Sequence, residues 1–123
     1  METRRKWALP LAGLLSAVFL TPAFAGQRGT ASWYGRFHEG KLMANQQPFR
    51  MNQPTVAHRT LPLGTVVEVR NMQNGLSAEA EATDRGPYVR GRVLDVSRSV
   101  AERLDMLEDG TAPVEIRVVI RGG

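Results

Sequence analysis

Residues 65–83 read TVVEVRNMQNGLSAEAEAT, and this stretch decides the fold class. Residues 65–71 are rich in β-branched side chains, whereas residues 76–83 alternate alanine with polar residues, the period-two pattern of a half-buried strand. Between the two runs lies Asn74-Gly75, a pair that favours the positive φ angles of a tight hairpin turn. We therefore predict an antiparallel hairpin here, in a protein built mainly from β-strands.

Three runs outside the hairpin predict further strands, at residues 29–35, 92–96 and 114–120. In the last run, alternate positions carry the apolar residues Val114, Ile116, Val118 and Ile120. This alternation predicts one buried face.

One short helix is predicted over residues 97–106, where Ser99 and Glu102 have the spacing of a capping box. Residues 36–53 lack regular patterning, and an irregular segment of this length in a compact domain is usually functional or disordered. Strands that close on themselves with one short helix suggest a small barrel. Because side chains fill the interior of a small barrel, any site is expected in a groove on its outside.

Composition narrows the classes of protein and site. The 123 residues include 16 Lys and Arg, 12 Asp and Glu, and no cysteine. That length allows one domain. The lack of cysteine excludes disulfides, thiolate zinc sites, iron–sulfur clusters, cysteine nucleophiles and a lipidated cysteine. With only two histidines, His38 and His58, no metal site and no cofactor are expected.

The first 25 residues have the three parts of a secretory signal peptide. Basic residues lie within residues 1–7, residues 8–20 form an apolar run of 13, and an Ala-x-Ala sequence ends at Ala25. A membrane-spanning helix needs about 20 apolar residues, so we predict cleavage after Ala25 instead of a stable membrane anchor. The protein is then exported and soluble, either periplasmic or secreted. Without residues 1–25 the formal charge is +2, which does not indicate a nucleic-acid partner.

Four strings occur in order along the chain: GTASWYG at 29–35, TVAHRTLP at 55–62, TDRGPY at 83–88 and GRVLDVS at 91–97. Together they resemble the rare lipoprotein A (RlpA-like) family of double-psi β-barrels. The resemblance implies a six-stranded barrel with one or two short helices over residues 29–120, flanked by short tails at 26–28 and 121–123. It also implies a monomeric lytic transglycosylase that cleaves peptidoglycan glycan strands lacking stem peptides. Expansins share the barrel, so the fold alone does not fix the function.

The resemblance also assigns site residues. Asp84 matches the family's catalytic aspartate, and His58 matches a histidine that lines the groove. Gln47 stands where the family usually has a second catalytic glutamate, and Gln46 where a turn glycine is usual. The predicted substrate contacts are His58, Tyr34, Arg85 and Asn45. In this chemistry one carboxyl can act first as acid and then as base, and Asp84 is the candidate, with Gln47 as a polar partner.

Gln47 leaves alternatives open, because a neutral amide cannot transfer a proton. The chain could be a glycan-binding barrel like the expansins, or a protein-interaction module that uses the groove. Glu39 could replace the missing carboxylate by a loop rearrangement. Asp95 is interpreted as a structural residue that bonds turn or cap amides. On this reading, Gln47→Glu should increase product formation by about a hundredfold.

Overall fold

The computed structural model describes residues 26–123, so the predicted signal peptide at residues 1–25 lies outside the described residues. Within this part the strands are β1 (Gln27–Tyr34), β2 (Thr55–Ala57), β3 (Val66–Asn71), β4 (Ser77–Asp84), β5 (Arg92–Ser97) and β6 (Thr111–Ile120). A 3₁₀ helix at Arg36–His38 follows β1, and helix α1 (Arg98–Arg103) follows β5. The strands close into a barrel in the order β1-β5-β2-β4-β3-β6. The predicted six-stranded barrel is confirmed.

The hairpin predicted from residues 65–83 is formed by β3 and β4. The two strands pair antiparallel, with Val69 opposite Ala78 and Val67 opposite Ala80. Gly75 in the connecting turn has φ 79°, the left-handed conformation that glycine adopts without steric cost. Local sequence therefore fixes this element.

The barrel interior is filled by small and β-branched side chains. Alanines 78, 80 and 82 of β4 are buried, whereas Glu79 and Glu81 are exposed, so the predicted alternation is confirmed. The fully buried core residues on the other strands include Val56, Val67, Val69, Leu94 and Val96. Interiors packed in this way leave little space for a ligand, so a site has to lie on the outer surface.

Strand β2 organises the site, although it has only three residues. It pairs parallel with β4 and antiparallel with β5, and Ala57 lies opposite Asp84 on one side and Asp95 on the other. Neighbouring strands are about 4.8 Å apart, so the backbones of the two aspartates are separated by roughly 10 Å. Sequence patterning does not predict β2, because three consecutive buried residues show no alternation.

The ends of the barrel differ from the sequence predictions in two places. The sequence predicts a tail at residues 26–28, but Gln27 and Arg28 begin β1 because they pair with Ile116 and Glu115 of β6. At the C-terminal end of β6, Val118 and Ile120 are 49% and 61% exposed, so the predicted buried face ends at Ile116. Within the described residues, β3 alone pairs with β6 beyond Ile116, because β1 starts at Gln27.

Helix α1 is shorter than predicted and begins with a different cap. The Ser97 hydroxyl accepts a hydrogen bond from the Val100 N–H at 3.4 Å, so Ser97 is the N-cap and the capping box at Ser99 is wrong. Glu102, the predicted partner in that box, pairs with Arg98 at 3.6 Å. No helix in residues 26–123 is long and apolar enough to cross a membrane.

Candidate functional site

A groove of about 340 Å³ opens on the outside of the barrel around the end of β2. We call it the carboxylate groove, because it contains the side chains of both Asp84 and Asp95. It is lined by Ser32, Trp33, Tyr34, His38, Ala57, Asp84, Arg85, Arg92 and Asp95. Residues of four barrel strands, β1, β2, β4 and β5, and of the 3₁₀ helix therefore meet here.

Asp84 is the last residue of β4, and its carboxyl group is oriented by two backbone amides. Its Oδ1 accepts hydrogen bonds from the N–H groups of Ala44 and Arg85, each at 2.9 Å. Within residues 26–123 its Oδ2 has no hydrogen-bond partner. The carboxyl group is thus fixed through one oxygen, and the other is available to a ligand in the groove.

Asp95 supplies a second carboxylate that the sequence analysis did not assign to the site. Its Oδ1 accepts a hydrogen bond from the Ser32 hydroxyl at 2.5 Å, and Ser32 in turn accepts one from Arg92 Nη1 at 3.1 Å. The interpretation of Asp95 as a residue bonding turn or cap amides is therefore wrong. The alternation along β5 does indicate this position, because Leu94 and Val96 point into the barrel and Asp95, between them, points outward.

Tyr34 ends β1 beside both carboxylates. Burial raises the pKa of its phenol well above the usual 10, and the charges of Asp84 and Asp95 raise it further. The Thr55 hydroxyl has a smaller opposite effect on that pKa, although the two hydroxyls do not reach hydrogen-bond geometry. The phenol therefore stays protonated at neutral pH and can act as a donor.

The ring of Tyr34 is already occupied by other aromatic side chains. It stacks on Phe49 with centroids 4.5 Å apart and planes at 22°, and meets His38 edge-on at 5.1 Å. Its hydroxyl oxygen is buried without a hydrogen-bond partner in residues 26–123. The ring of Tyr34 is thus packed against aromatic neighbours, and its hydroxyl is a buried donor near the two carboxylates.

His58 lies outside the lining of the carboxylate groove and is 6% exposed. Its Nδ1 accepts hydrogen bonds from the N–H groups of Thr60 and Leu61, both at 3.1 Å. The proton must then be on Nε2, which donates to Gln27 Oε1 at 2.7 Å. Burial, followed by the charges of Arg85 and Arg59, lowers the pKa of His58. This geometry fits a neutral imidazole that shapes a loop.

Arg85 lines the groove and is tied to that same loop. Its Nη1 donates to the carbonyl oxygens of Leu61 at 2.6 Å and His58 at 3.2 Å. Its guanidinium is thereby held at the groove wall, in the position of a predicted substrate contact.

The segment containing Gln47 forms a turn beside Asp84. Asn45 Oδ1 accepts a hydrogen bond from the Gln47 N–H at 3.0 Å, an Asx-turn, and the intervening Gln46 has φ 70°. Neither Asn45 nor Gln47 is among the residues that line the carboxylate groove, and Gln47 is exposed. The structure therefore brings Asp84, Tyr34 and Arg85 together, and leaves Asn45 and Gln47 in the adjoining turn.

Glu39 is held away from the groove and does not replace the missing carboxylate. Its Oε1 accepts a hydrogen bond from the Met51 N–H at 2.9 Å, and its Oε2 pairs with Arg50 at 3.3 Å. The neighbouring His38 does line the groove, although nothing in the unpatterned segment around it distinguished it beforehand. Across residues 26–123 there is no group of three His, Asp or Glu side chains that could hold a metal ion.

Comparison with known proteins gives sequence relatives over most of the described chain. The family described as lytic transglycolase matches residues 26–116. The endolytic peptidoglycan transglycosylase RlpA of Campylobacter jejuni is 41% identical over 91 residues, which are 74% of this chain and 33% of that protein. The probable endolytic peptidoglycan transglycosylase RlpA of Aquifex aeolicus is 46% identical over 92 residues, 75% of this chain and 41% of that protein. The chain thus spans less than half the length of these relatives.

Two solved structures share the fold. The Streptomyces papain inhibitor superposes with a TM-score of 0.60 at 24% identity, covering 77% of this chain and 96% of that one. An expansin from Clavibacter michiganensis superposes with the same TM-score at 20% identity, covering 78% of this chain and 51% of that one. At these identities the likeness concerns the barrel alone.

Proposed function

Because the chain belongs to the RlpA-like double-psi β-barrel family, we propose that it is an exported endolytic lytic transglycosylase acting on peptidoglycan glycan strands without stem peptides. The observation that carries the proposal is the carboxyl group of Asp84. One of its oxygens is fixed by two amides and the other is available in a groove that also holds Asp95.

In the first step the Asp84 carboxyl acts as the acid. It gives its proton to the glycosidic oxygen that follows an N-acetylmuramyl residue, and the bond from C1 to that oxygen breaks with its electron pair going to the leaving sugar. Positive charge develops at C1 and the ring oxygen. The carboxylate of Asp95, oriented by Ser32, supplies a fixed negative charge that favours this transition state.

In the second step the Asp84 carboxylate acts as the base. It takes the proton of the C6 hydroxyl of the same muramyl residue while O6 bonds to C1 and closes the 1,6-anhydro ring. Asp84 is protonated again at the end, so one group serves both steps and no water is consumed. The Tyr34 hydroxyl is a buried donor without a partner in the described chain, and we expect it to donate to a substrate oxygen once glycan binding opens the groove beside it.

The glycan-binding alternative depended on the neutral side chain at Gln47. Because that side chain lies outside the lining of the carboxylate groove, its neutrality removes no proton-transfer group from the groove. The second carboxylate in the groove is instead that of Asp95, on strand β5. The placement of Gln47 therefore supports cleavage over binding alone.

The test is incubation of purified naked glycan strands with protein, followed by mass spectrometry of 1,6-anhydro-muramyl ends. Asp84→Asn should lower cleavage by about 10² to 10⁴, the contribution of a general acid–base group, and keep the fold, because the Asn oxygen can still accept from Ala44. Asp95→Asn should lower it by at least tenfold. Glu79→Gln, which removes an exposed carboxylate on the same strand as Asp84, is the matched control.

The outcomes separate the remaining functions. Glycan retention without anhydro products would favour the binding barrel, and neither retention nor products would favour a protein-interaction module. Full cleavage by Asp84→Asn would refute the proposed acid and base.

A further inference from the structure

A second groove of about 480 Å³ continues from the carboxylate groove along the barrel surface. The two grooves share Trp33, Tyr34 and His38, so they form one extended cleft. We call the second one the arginine groove. Its further lining residues are Gly35, Arg36, Phe37, Met51 and Arg98. A polymer that passes Asp84 can therefore extend into it.

The arginine groove presents an aromatic side chain to solvent. Phe37, in the 3₁₀ helix, is 84% exposed, although a large apolar side chain is usually buried. Trp33 lies in the same groove, with its indole Nε1 donating to the Leu107 carbonyl oxygen at 3.2 Å. Aromatic surfaces exposed beside a cleft commonly mark a binding site, and the apolar face of a sugar ring can pack against them.

Two guanidinium groups lie at these rings. Arg36 is 5.9 Å from the Phe37 ring centroid, and Arg98 is 6.0 Å from the Trp33 ring. Within residues 26–123 Arg36 has no ion pair, and Arg98 has only the half-exposed pair with Glu102 at 3.6 Å. Among residues 26–123, no Asp or Glu lines this groove, in contrast to the carboxylate groove. Its charge therefore suits an anionic ligand.

We propose that the arginine groove is a subsite for a muramyl residue whose lactyl carboxylate is free, with Arg36 and Arg98 binding the carboxylate and Phe37 packing on the sugar. The inference rests on the proposed function, because it requires a glycan strand in the cleft. A stem peptide converts the same carboxylate into a neutral amide, which accepts hydrogen bonds but carries no charge. The subsite thus distinguishes bare from peptide-bearing muramyl residues by charge.

The experiment measures binding apart from cleavage, in protein carrying Asp84→Asn. The probes are naked glycan strands and the same strands with their lactyl carboxyls converted to methylamides. Arg36→Gln and Arg98→Gln together should weaken binding of the acid strands by tenfold or more and leave binding of the amide strands unchanged. Thermal unfolding of each variant verifies the fold.

Two control variants separate the subsite from general charge. Arg103→Gln removes a positive charge from the same helix outside the groove lining, and Glu102→Gln breaks the ion pair but keeps Arg98. Both should bind acid strands as the parent does. Equal binding of acid and amide strands by the parent, or equal losses for both in the double variant, would overturn the subsite. Cleavage by the wild-type protein, measured in parallel, would show whether the proposed function survives that result.

Discussion

Replacing Tyr34 by phenylalanine separates the two roles that the ring and the hydroxyl can have. The ring contacts with Phe49 and His38 remain in the variant, because they do not involve the hydroxyl. What is lost is one buried oxygen that has no hydrogen-bond partner in the described chain. A buried polar group without a partner costs about 1–3 kcal/mol. We therefore expect Tyr34→Phe to raise the free energy of unfolding by about 1 kcal/mol.

Activity should change in the opposite direction. If the hydroxyl donates to a substrate oxygen beside Asp84 and Asp95, its removal loses a hydrogen bond worth about 1.5–3 kcal/mol where charge develops. Since about 1.4 kcal/mol is a factor of ten, kcat/KM should fall roughly 10- to 100-fold. A gain in stability with a loss of activity is the signature of a group kept for function.

The assay pairs urea unfolding with the rate of anhydro-muramyl product formation. If thermal unfolding is used instead, a gain of about 1 kcal/mol in a domain of this size corresponds to a rise of about 4–8 °C in Tm. Thr55→Val is the matched control, because it removes a second buried hydroxyl that has no partner in the described residues and does not line the groove. It should stabilise the protein without loss of activity. If Tyr34→Phe keeps full activity, or destabilises the protein, the assigned role of the hydroxyl is refuted.

Three smaller changes test other parts of the structure. Because Gln47 lies outside the groove lining, Gln47→Glu should now leave kcat/KM within about threefold, and a hundredfold gain would contradict that placement. Gln46→Gly should raise the free energy of unfolding by about 0.5–1 kcal/mol in urea titrations, since φ 70° disfavours a side chain; a loss would count against this conformation. Burial, then Arg85 and Arg59, lowers the pKa of His58, so below about pH 6.5 the unfolded chain binds the extra proton. The contribution of His58 to stability is complete above about pH 6.5 and should be lost as the pH falls through its folded pKa. The free energy of unfolding, measured from pH 7.5 to 5, should therefore depend less steeply on pH in His58→Asn than in the wild-type protein. Identical slopes for the two proteins would refute the neutral, buried imidazole.

The sequence by itself determined the elements whose signals are local. Alternation in residues 76–83 and the turn at Gly75 specify the hairpin, because the faces of a strand and the φ of a turn depend on neighbouring residues. The motif strings likewise singled out Asp84, which the structure places in the lining of the carboxylate groove, and the family relationship confirmed the double-psi barrel. These features could be predicted because they do not depend on which residues lie across the barrel.

Only the tertiary structure decided which side chains share the groove. Asp95 and Asp84 line the same groove because β2 pairs with both of their strands, and Ser32, whose hydroxyl donates to Asp95, is 63 positions away from it in the chain. His58 belongs to a matching motif, yet its Nε2–H donates a hydrogen bond to the Gln27 side chain, 31 positions earlier. Local periodicity states which face of a strand a residue occupies, whereas non-local strand pairing decides which groups that face meets.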